Sequence, residues 1–160
     1  MSSDTPTLAE LRARYDEGTA RIEAVLAALD PADLDRHAPG EWSARQTIHH
    51  LADSETMAYT RLRRLAAEPE PVIQGYDEGA WADSRLLGYA ELPVEGSIAL
   101  LRAVRVGSAA LLARLGEADL DRTGTHTEAG PYTLRRWIET YARHPFDHGG
   151  QIERAARGEP

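Results

Sequence analysis

Apolar residues recur about every 3.6 residues in four separate segments of the chain, and this periodicity limits the fold more than any other feature. In the first segment they follow steps of three, four and seven between Leu8 and Leu29. Such spacing places side chains on one face of an α-helix, and that face must be covered by another element. No strand-like alternation of useful length is evident in the sequence. The pattern predicts an all-α fold, a four-helix bundle.

Capping residues, prolines and glycines mark the predicted ends of these helices. Thr7 with Glu10, and Ser43 with Gln46, both have the spacing of a capping box. Residues 69–92 are rich in Pro, Gly, Asp and Glu and predict a long crossover between helices 2 and 3, with one short helical turn. The predicted helices run from Thr7 to Asp30, from Ser43 to Pro69, from Pro93 to Gly116, and from Thr133 toward the C-terminus.

A short internal repeat connects the two halves of the chain. Leu29–Arg36 matches Leu115–Arg122, and each copy follows an amphipathic helix. One interpretation is a pair of helix–linker–helix units about a pseudo-two-fold axis, which would let helices 2 and 4 face each other. The alternative is a chance match in composition where helices end.

Composition narrows the class of protein. A length of 160 residues fits one domain, 1–160, and the net charge of -8 argues against nucleic-acid partners. The chain has no cysteine, so disulfides and thiolate ligands are excluded. No apolar run approaches the roughly 18–20 residues that span a bilayer. Residues 1–6 lack the basic and apolar regions of a signal peptide, and a cytoplasmic location is therefore expected.

Three of the six histidines suggest a metal site. His144 and His148 lie four residues apart, so their imidazoles share one face of the fourth helix and both can reach one ion. His50, inside the otherwise apolar pattern of the second helix, is the candidate third ligand. A polar contact or surface chemistry is the alternative reading of the pair. His49 is expected to be a partner or surface residue.

The remaining histidines, His37 and His126, lie in predicted linkers. Turn and solvent roles are expected for both of them. A supporting role beside the site is the alternative for His126.

Four ordered motifs resemble the DinB-like superfamily, and within it the YfiT-like metal-dependent hydrolases. They are Pro39–Ser43, His49–Glu55, Gly75–Trp81 and Tyr141–Ile152, and the similarity spans residues 8–157. The resemblance implies one DinB-like bundle domain with up-down-down-up topology. It also implies a centre of one divalent ion, nickel or zinc first, held by His50, His144 and His148.

The same resemblance implies a small-molecule substrate and a homodimer. The expected activity is metal-dependent hydrolysis, or transfer of a low-molecular-weight thiol that serves as cosubstrate. The alternative is a non-enzymatic metal-binding protein of the stress response.

The residues around the proposed ligands suggest supporting roles. Asp53, one turn beyond His50, and Gln151, one turn past His148, are candidates to orient the ligand imidazoles. No convincing general base emerges from the sequence. Pro145 lies between two of the ligands, removes the amide that would bond the Tyr141 carbonyl, and is expected to distort the helix there. Trp81, in the crossover, is a candidate pocket wall.

Overall fold

The computed structural model describes residues 5–160, and within them four long helices form a bundle. Residues 1–4, on which part of the signal-peptide prediction rests, lie outside the described residues. In the described part, every helix is too short or too polar to cross a membrane. The helices are α1 (Leu8–Ala28), α2 (Ala44–Ala67), the short α3 (Glu78–Ala82), α4 (Glu95–Leu112) and α5 (Leu134–Arg157).

The predicted helix starts are confirmed at three of the four long helices. Thr7 and Ser43 each accept a hydrogen bond from the backbone of the glutamate or glutamine three residues later, whose side chain accepts from the cap backbone in return. Thr133 caps α5 through its side chain alone, which accepts a hydrogen bond from the Arg136 amide. Helix α4 begins after Val94 without a side-chain cap and ends at Leu112, before the predicted stop at Gly116.

Contacts near both ends of each helix pair fix the topology. Helix α1 runs parallel to α5 and antiparallel to α4, and α2 runs parallel to α4 and antiparallel to α5. The long helices therefore run up, down, down and up, as the resemblance implied. The contacts are Pro6–Arg135 and Arg21–Glu153, Arg12–Leu112 and Glu23–Arg102, His49–Ser97 and Arg63–Gly107, and His50–His148 and Ala58–Trp137.

A small three-stranded sheet departs from the all-α prediction. It consists of β1 (Val72–Ile73), β2 (Thr123–His126) and β3 (Gly130–Thr133). Strand β1 pairs in parallel with β2, which pairs antiparallel with β3. Strands of two to four residues are too short to show alternation, so they could not be predicted from the sequence pattern. The sheet ties the crossover to the start of α5.

Both copies of the internal repeat have the same local structure. Each contains a 3₁₀-helix, Pro31–Asp33 in the first copy and Glu117–Asp121 in the second. The helix after the first copy, α2, and the helix after the second, α5, pack against each other. The repeat predicted this contact, because α2 and α5 are the second and the fourth of the long helices.

The core consists of two apolar clusters with a polar layer between them. One cluster includes Leu62 and Trp137, and the other includes Leu51 and Leu101. Along α2 and α4, the chain passes from one cluster to the other through charged residues that are fully buried. This layer positions the site.

Candidate metal centre

The structure brings His50, His144 and His148 together. Each offers one ring nitrogen, and these nitrogens all lie within 4.8 Å of one another. The Nε2 atoms of His50 and His148 are 3.2 Å apart. Because α2 and α5 are antiparallel, the second turn of α2 lies level with the middle of α5. The register between the two helices, which the sequence did not fix, therefore gathers all three imidazoles.

Burial keeps two of the imidazoles neutral. His50 is fully buried, and this burial, followed by the neighbouring His148 and His144, lowers its pKa to about 3. Burial, and then His144, lowers the pKa of His148 to about 4, although its hydrogen bond to Gln151 acts in the opposite direction. Neutral imidazole is the form that binds a metal ion, so these rings need not lose a proton at neutral pH.

Gln151 lies where the sequence placed it, next to a site histidine. Its Oε1 is 2.8 Å from Nδ1 of His148. An amide oxygen only accepts, so Nδ1 of His148 carries the proton in this contact and Nε2 keeps its lone pair. The contact directs Nε2 of His148 toward the other two rings.

Asp53 does not occupy the predicted place beside a ligand imidazole. Its Oδ2 accepts a hydrogen bond of 2.5 Å from the hydroxyl of Tyr89, which fastens the crossover to α2. The carboxylate that contacts a site histidine is Glu55, whose Oε1 is 3.1 Å from Nδ1 of His144. A residue at position 53 projects from a different side of α2 than position 55, which explains the error.

The sequence carries a signal for Glu55. It falls on the apolar stripe of α2, at helical spacing between Leu51 and Leu62. Arg105 interrupts the stripe of α4 in the same way, between Leu101 and Leu112. An acidic and a basic residue on two buried stripes predict an ion pair in the core.

The other three histidines lie outside the cluster. His49 joins α2 to the crossover and to α4, with Nδ1 at 2.8 Å from Ser97 Oγ and Nε2 at 3.1 Å from the Leu92 carbonyl. His126 lies on β2, where its ring packs against Tyr132. His37 is exposed in the connection between α1 and α2.

Pro145 lies inside α5, which continues through it to Arg157. The carbonyl of Tyr141, which the missing amide would have bonded, accepts a hydrogen bond of 3.2 Å from Nη1 of Arg105 instead. The expected distortion does not separate His144 from His148, whose ring centroids are 4.5 Å apart.

Aromatic and polar side chains surround the three imidazoles. The Trp42 ring lies 5.1 Å from the His50 ring, and Ser54 Oγ lies 3.3 Å from His144 Nε2. Glu78, at the start of α3, brings Oε2 to 4.0 Å from His50 Nε2, and its side chain remains 55% exposed. Trp81, the predicted pocket wall, is half-buried against Tyr76. The crossover thus brings a carboxylate to the centre that the sequence analysis missed.

Comparison with known proteins identifies the family. The profile of the DinB superfamily matches residues 14–152. The chain belongs to the DinB superfamily. Two of its relatives carry names that assign them provisionally to the metal-dependent hydrolases. One, from Oceanobacillus iheyensis, is 42% identical over 113 residues, which are 71% of this chain and 64% of the relative. The other, from Halalkalibacterium halodurans, is 31% identical over 137 residues, 85% of this chain and 78% of that relative.

A solved structure shows the same bundle. YfiT from Bacillus subtilis superposes on this DinB-superfamily chain with a TM-score of 0.84 and 26% sequence identity, covering 98% of this chain and 91% of YfiT. Its description assigns it, again provisionally, to the metal-dependent hydrolases and notes an unusual four-helix bundle topology. The fold prediction is confirmed by this match.

The donor set of this DinB-superfamily chain fits a divalent transition metal. Three imidazole nitrogens converge, and imidazole suits zinc, nickel, copper and iron. Protein acceptors at Nδ1 of His144 and His148 leave the Nε2 lone pairs of both rings for the ion. Three ligands leave at least one coordination position open, which is typical of a catalytic site rather than a structural one.

Proposed function

We propose that this chain is a divalent-metal-dependent enzyme that acts on a small molecule, with His50, His144 and His148 as its metal ligands. Hydrolysis is the reaction proposed first, since the names of the relatives point to it. The observation that carries the proposal is the convergence of three imidazole nitrogens within 4.8 Å. Nickel or zinc is the proposed ion.

His50, His144 and His148 would hold the ion, which would supply a Lewis acid able to lower the pKa of a water molecule or to polarise a carbonyl group. The protein holds the imidazoles of His50 and His148 neutral by burial, and it fixes the orientation of His144 and His148 through Glu55 and Gln151. Glu78, half-exposed and 4.0 Å from His50 Nε2, is placed to accept a proton from a water molecule or a substrate at the centre.

A small thiol is the second attacking group that we propose to test. Three neutral imidazole ligands would leave a bound divalent ion its full positive charge, which would stabilise a thiolate or a hydroxide. Because the chain has no cysteine, that thiol must be a separate molecule.

Metal analysis of the purified protein tests the proposal. We expect one nickel or zinc ion per chain in the wild type, and loss of that ion in His50→Ala, His144→Ala and His148→Ala. His37→Ala, which changes an exposed histidine outside the cluster, serves as the control and should keep the ion. A wild type without stoichiometric metal, or three variants that retain it, would contradict the metal centre.

Activity assays then separate the reactions. The loaded protein is incubated with a panel of esters and amides, and separately with small thiols plus electrophiles. Turnover that is lost in Glu78→Gln supports hydrolysis or transfer with Glu78 as proton acceptor. A loaded protein that is silent in both panels would favour the non-enzymatic metal-binding alternative. The homodimer stays a prediction, which the mass in solution tests.

A further inference from the structure

A buried ion pair crosses the polar layer of the bundle. Glu55 and Arg105 are each 1% exposed at their side chains, and Glu55 Oε1 lies 2.9 Å from Arg105 Nη1. Removing two charges from water costs several kcal/mol per ion, and their attraction offsets this only with good geometry and further hydrogen bonds. An ordinary core position would therefore not hold such a pair.

The guanidinium of Arg105 is fixed by groups on three helices. Its Nε donates to Thr19 Oγ1 at 2.7 Å and its Nη2 to the Tyr15 carbonyl at 2.9 Å. Its Nη1 donates both to Glu55 and, at 3.2 Å, to the Tyr141 carbonyl. Its Cζ also lies 3.9 Å from the centroid of the Tyr15 ring. Helices α1, α2 and α5 thus hold one side chain of α4 in one position.

Pro145 has a specific place in this arrangement. A proline at position 145 cannot donate to the Tyr141 carbonyl, so that acceptor is left for Arg105. Gly18 makes room on the facing helix, because a Cβ there would lie 2.7 Å from the Ala142 carbonyl oxygen and 3.3 Å from Pro145 Cγ. Pro145, which the sequence predicted to distort the helix, thus leaves an acceptor free for the arginine.

The fixed carboxylate reaches the metal centre. The Oε1 atom that accepts from Arg105 is also 3.1 Å from Nδ1 of His144. A carboxylate paired with arginine only accepts hydrogen bonds, so Nδ1 of His144 is the atom that carries the proton. The Nε2 lone pair of His144 is then directed toward His50 and His148.

We propose that Glu55, held by Arg105, is a positioning residue that fixes His144 as the Nδ1–H tautomer and preassembles the centre before the ion arrives. The inference rests on the proposed function in that His144 is taken as a metal ligand. His148 receives the same orientation from the neutral amide of Gln151, so the charged Glu55 contact is the stronger of the two.

The tautomer is measured on the metal-free wild type. Long-range proton–nitrogen NMR of the histidine side chains distinguishes a protonated Nδ1 from a protonated Nε2, and comparison with His144→Ala assigns the signals. We expect His144 as the Nδ1–H tautomer. An Nε2–H tautomer would overturn the proposal, and this measurement needs no metal.

Metal affinity tests the consequence. Glu55→Gln alone would leave Arg105 buried without a counter-charge, so the double variant Glu55→Met/Arg105→Met removes both charges together. We expect it to fold, to bind zinc and nickel about 10- to 100-fold more weakly, and to give a changed visible spectrum with cobalt(II). The matched control is Glu23→Met/Arg102→Met, an exposed pair between α1 and α4, which should keep wild-type affinity and spectrum.

The outcomes separate the two proposals. Equal affinity and an equal cobalt spectrum in the wild type and the double variant would overturn the positioning role and leave the metal centre standing. A wild type that shows the Nδ1–H tautomer but binds no metal would overturn the proposed function alone. If the double variant does not fold, the tautomer of the wild type decides.

Discussion

At the scale of single residues, the three site histidines differ in what holds their second ring nitrogen. His144 faces a carboxylate and His148 faces a neutral amide. Nδ1 of His50 is buried and has no hydrogen-bond partner among residues 5–160. A charged acceptor raises the basicity of a ligand imidazole more than a neutral one. The three rings are therefore held differently, and His144 is the one whose second nitrogen faces a charged acceptor.

The two lowered histidine pKa values predict how stability depends on pH. His50 and His148 have pKa values of about 3 and about 4 when folded, and 6.5 is the ordinary value. At pH values between the folded pKa and the ordinary pKa of each histidine, the unfolded chain binds more protons than the folded one. The free energy of unfolding of the metal-free protein therefore falls as pH falls below 6.5, by up to about 1.4 kcal/mol per pH unit for each histidine.

Urea unfolding between about pH 7 and about pH 5 measures this dependence. A variant with His50→Asn and His148→Asn serves as the comparison, because it lacks the two groups that titrate. Its stability should fall less steeply over the same range. Equal slopes in the two proteins would contradict the assignment of the effect to these histidines.

At the scale of secondary-structure elements, the close approach of α1 and α5 depends on a glycine. An added Cβ at Gly18 would meet the Ala142 carbonyl oxygen at 2.7 Å, which is too short for contact. Gly18→Ala should therefore separate the helices and lower the free energy of unfolding by about 1–3 kcal/mol. Chemical denaturation measures the change.

Gly96→Ala is the matched control in another helix of the bundle. A Cβ at Gly96 would meet nothing within 4 Å, so alanine should be neutral there or stabilise α4 by up to about 1 kcal/mol. If Gly18→Ala were neutral or stabilising like Gly96→Ala, the packing of α1 against α5 would not depend on the glycine.

At the scale of the whole molecule, side chains fasten the crossover beside the candidate metal centre. Tyr89 is buried and donates to Asp53, and His49 contacts the Leu92 carbonyl. Burial, and then the bond to Asp53, raises the pKa of Tyr89, so its hydroxyl keeps the proton that it donates. These contacts keep Glu78 of α3 near His50.

Tyr89→Phe should loosen this segment. Loss of a hydrogen bond to a charged acceptor costs about 1.5–3 kcal/mol. We therefore expect the variant to show faster amide hydrogen exchange than the wild type across residues 74–92, with a smaller change in α1 and α5. Hydrogen exchange by mass spectrometry provides the measurement. Tyr59→Phe is the control, since Tyr59 contacts the guanidinium of Arg63 through its ring face. Unchanged exchange in the crossover of Tyr89→Phe would count against the fastening role.

Local chemistry explains which features were predictable. Thr7, Ser43 and Thr133 mark helix starts because a capping side chain bonds a backbone amide only two or three residues away. The His144–His148 pair was found for the same reason, since helical geometry alone places both on one face. Asp53 was assigned wrongly because nothing within one turn of helix shows that Tyr89, far along the chain, takes its carboxylate.

The sequence by itself determined the four amphipathic helices, the caps of three of them, the long crossover and one face of α5 with two imidazoles. Each of these depends on interactions over a few residues. Only the tertiary structure decided the register of α2 against α5, the pairing of the three short strands, and the contact of Glu55 with His144 and Arg105. These depend on how buried faces pack between distant segments. That packing turned a histidine pair and a lone histidine into one candidate metal centre.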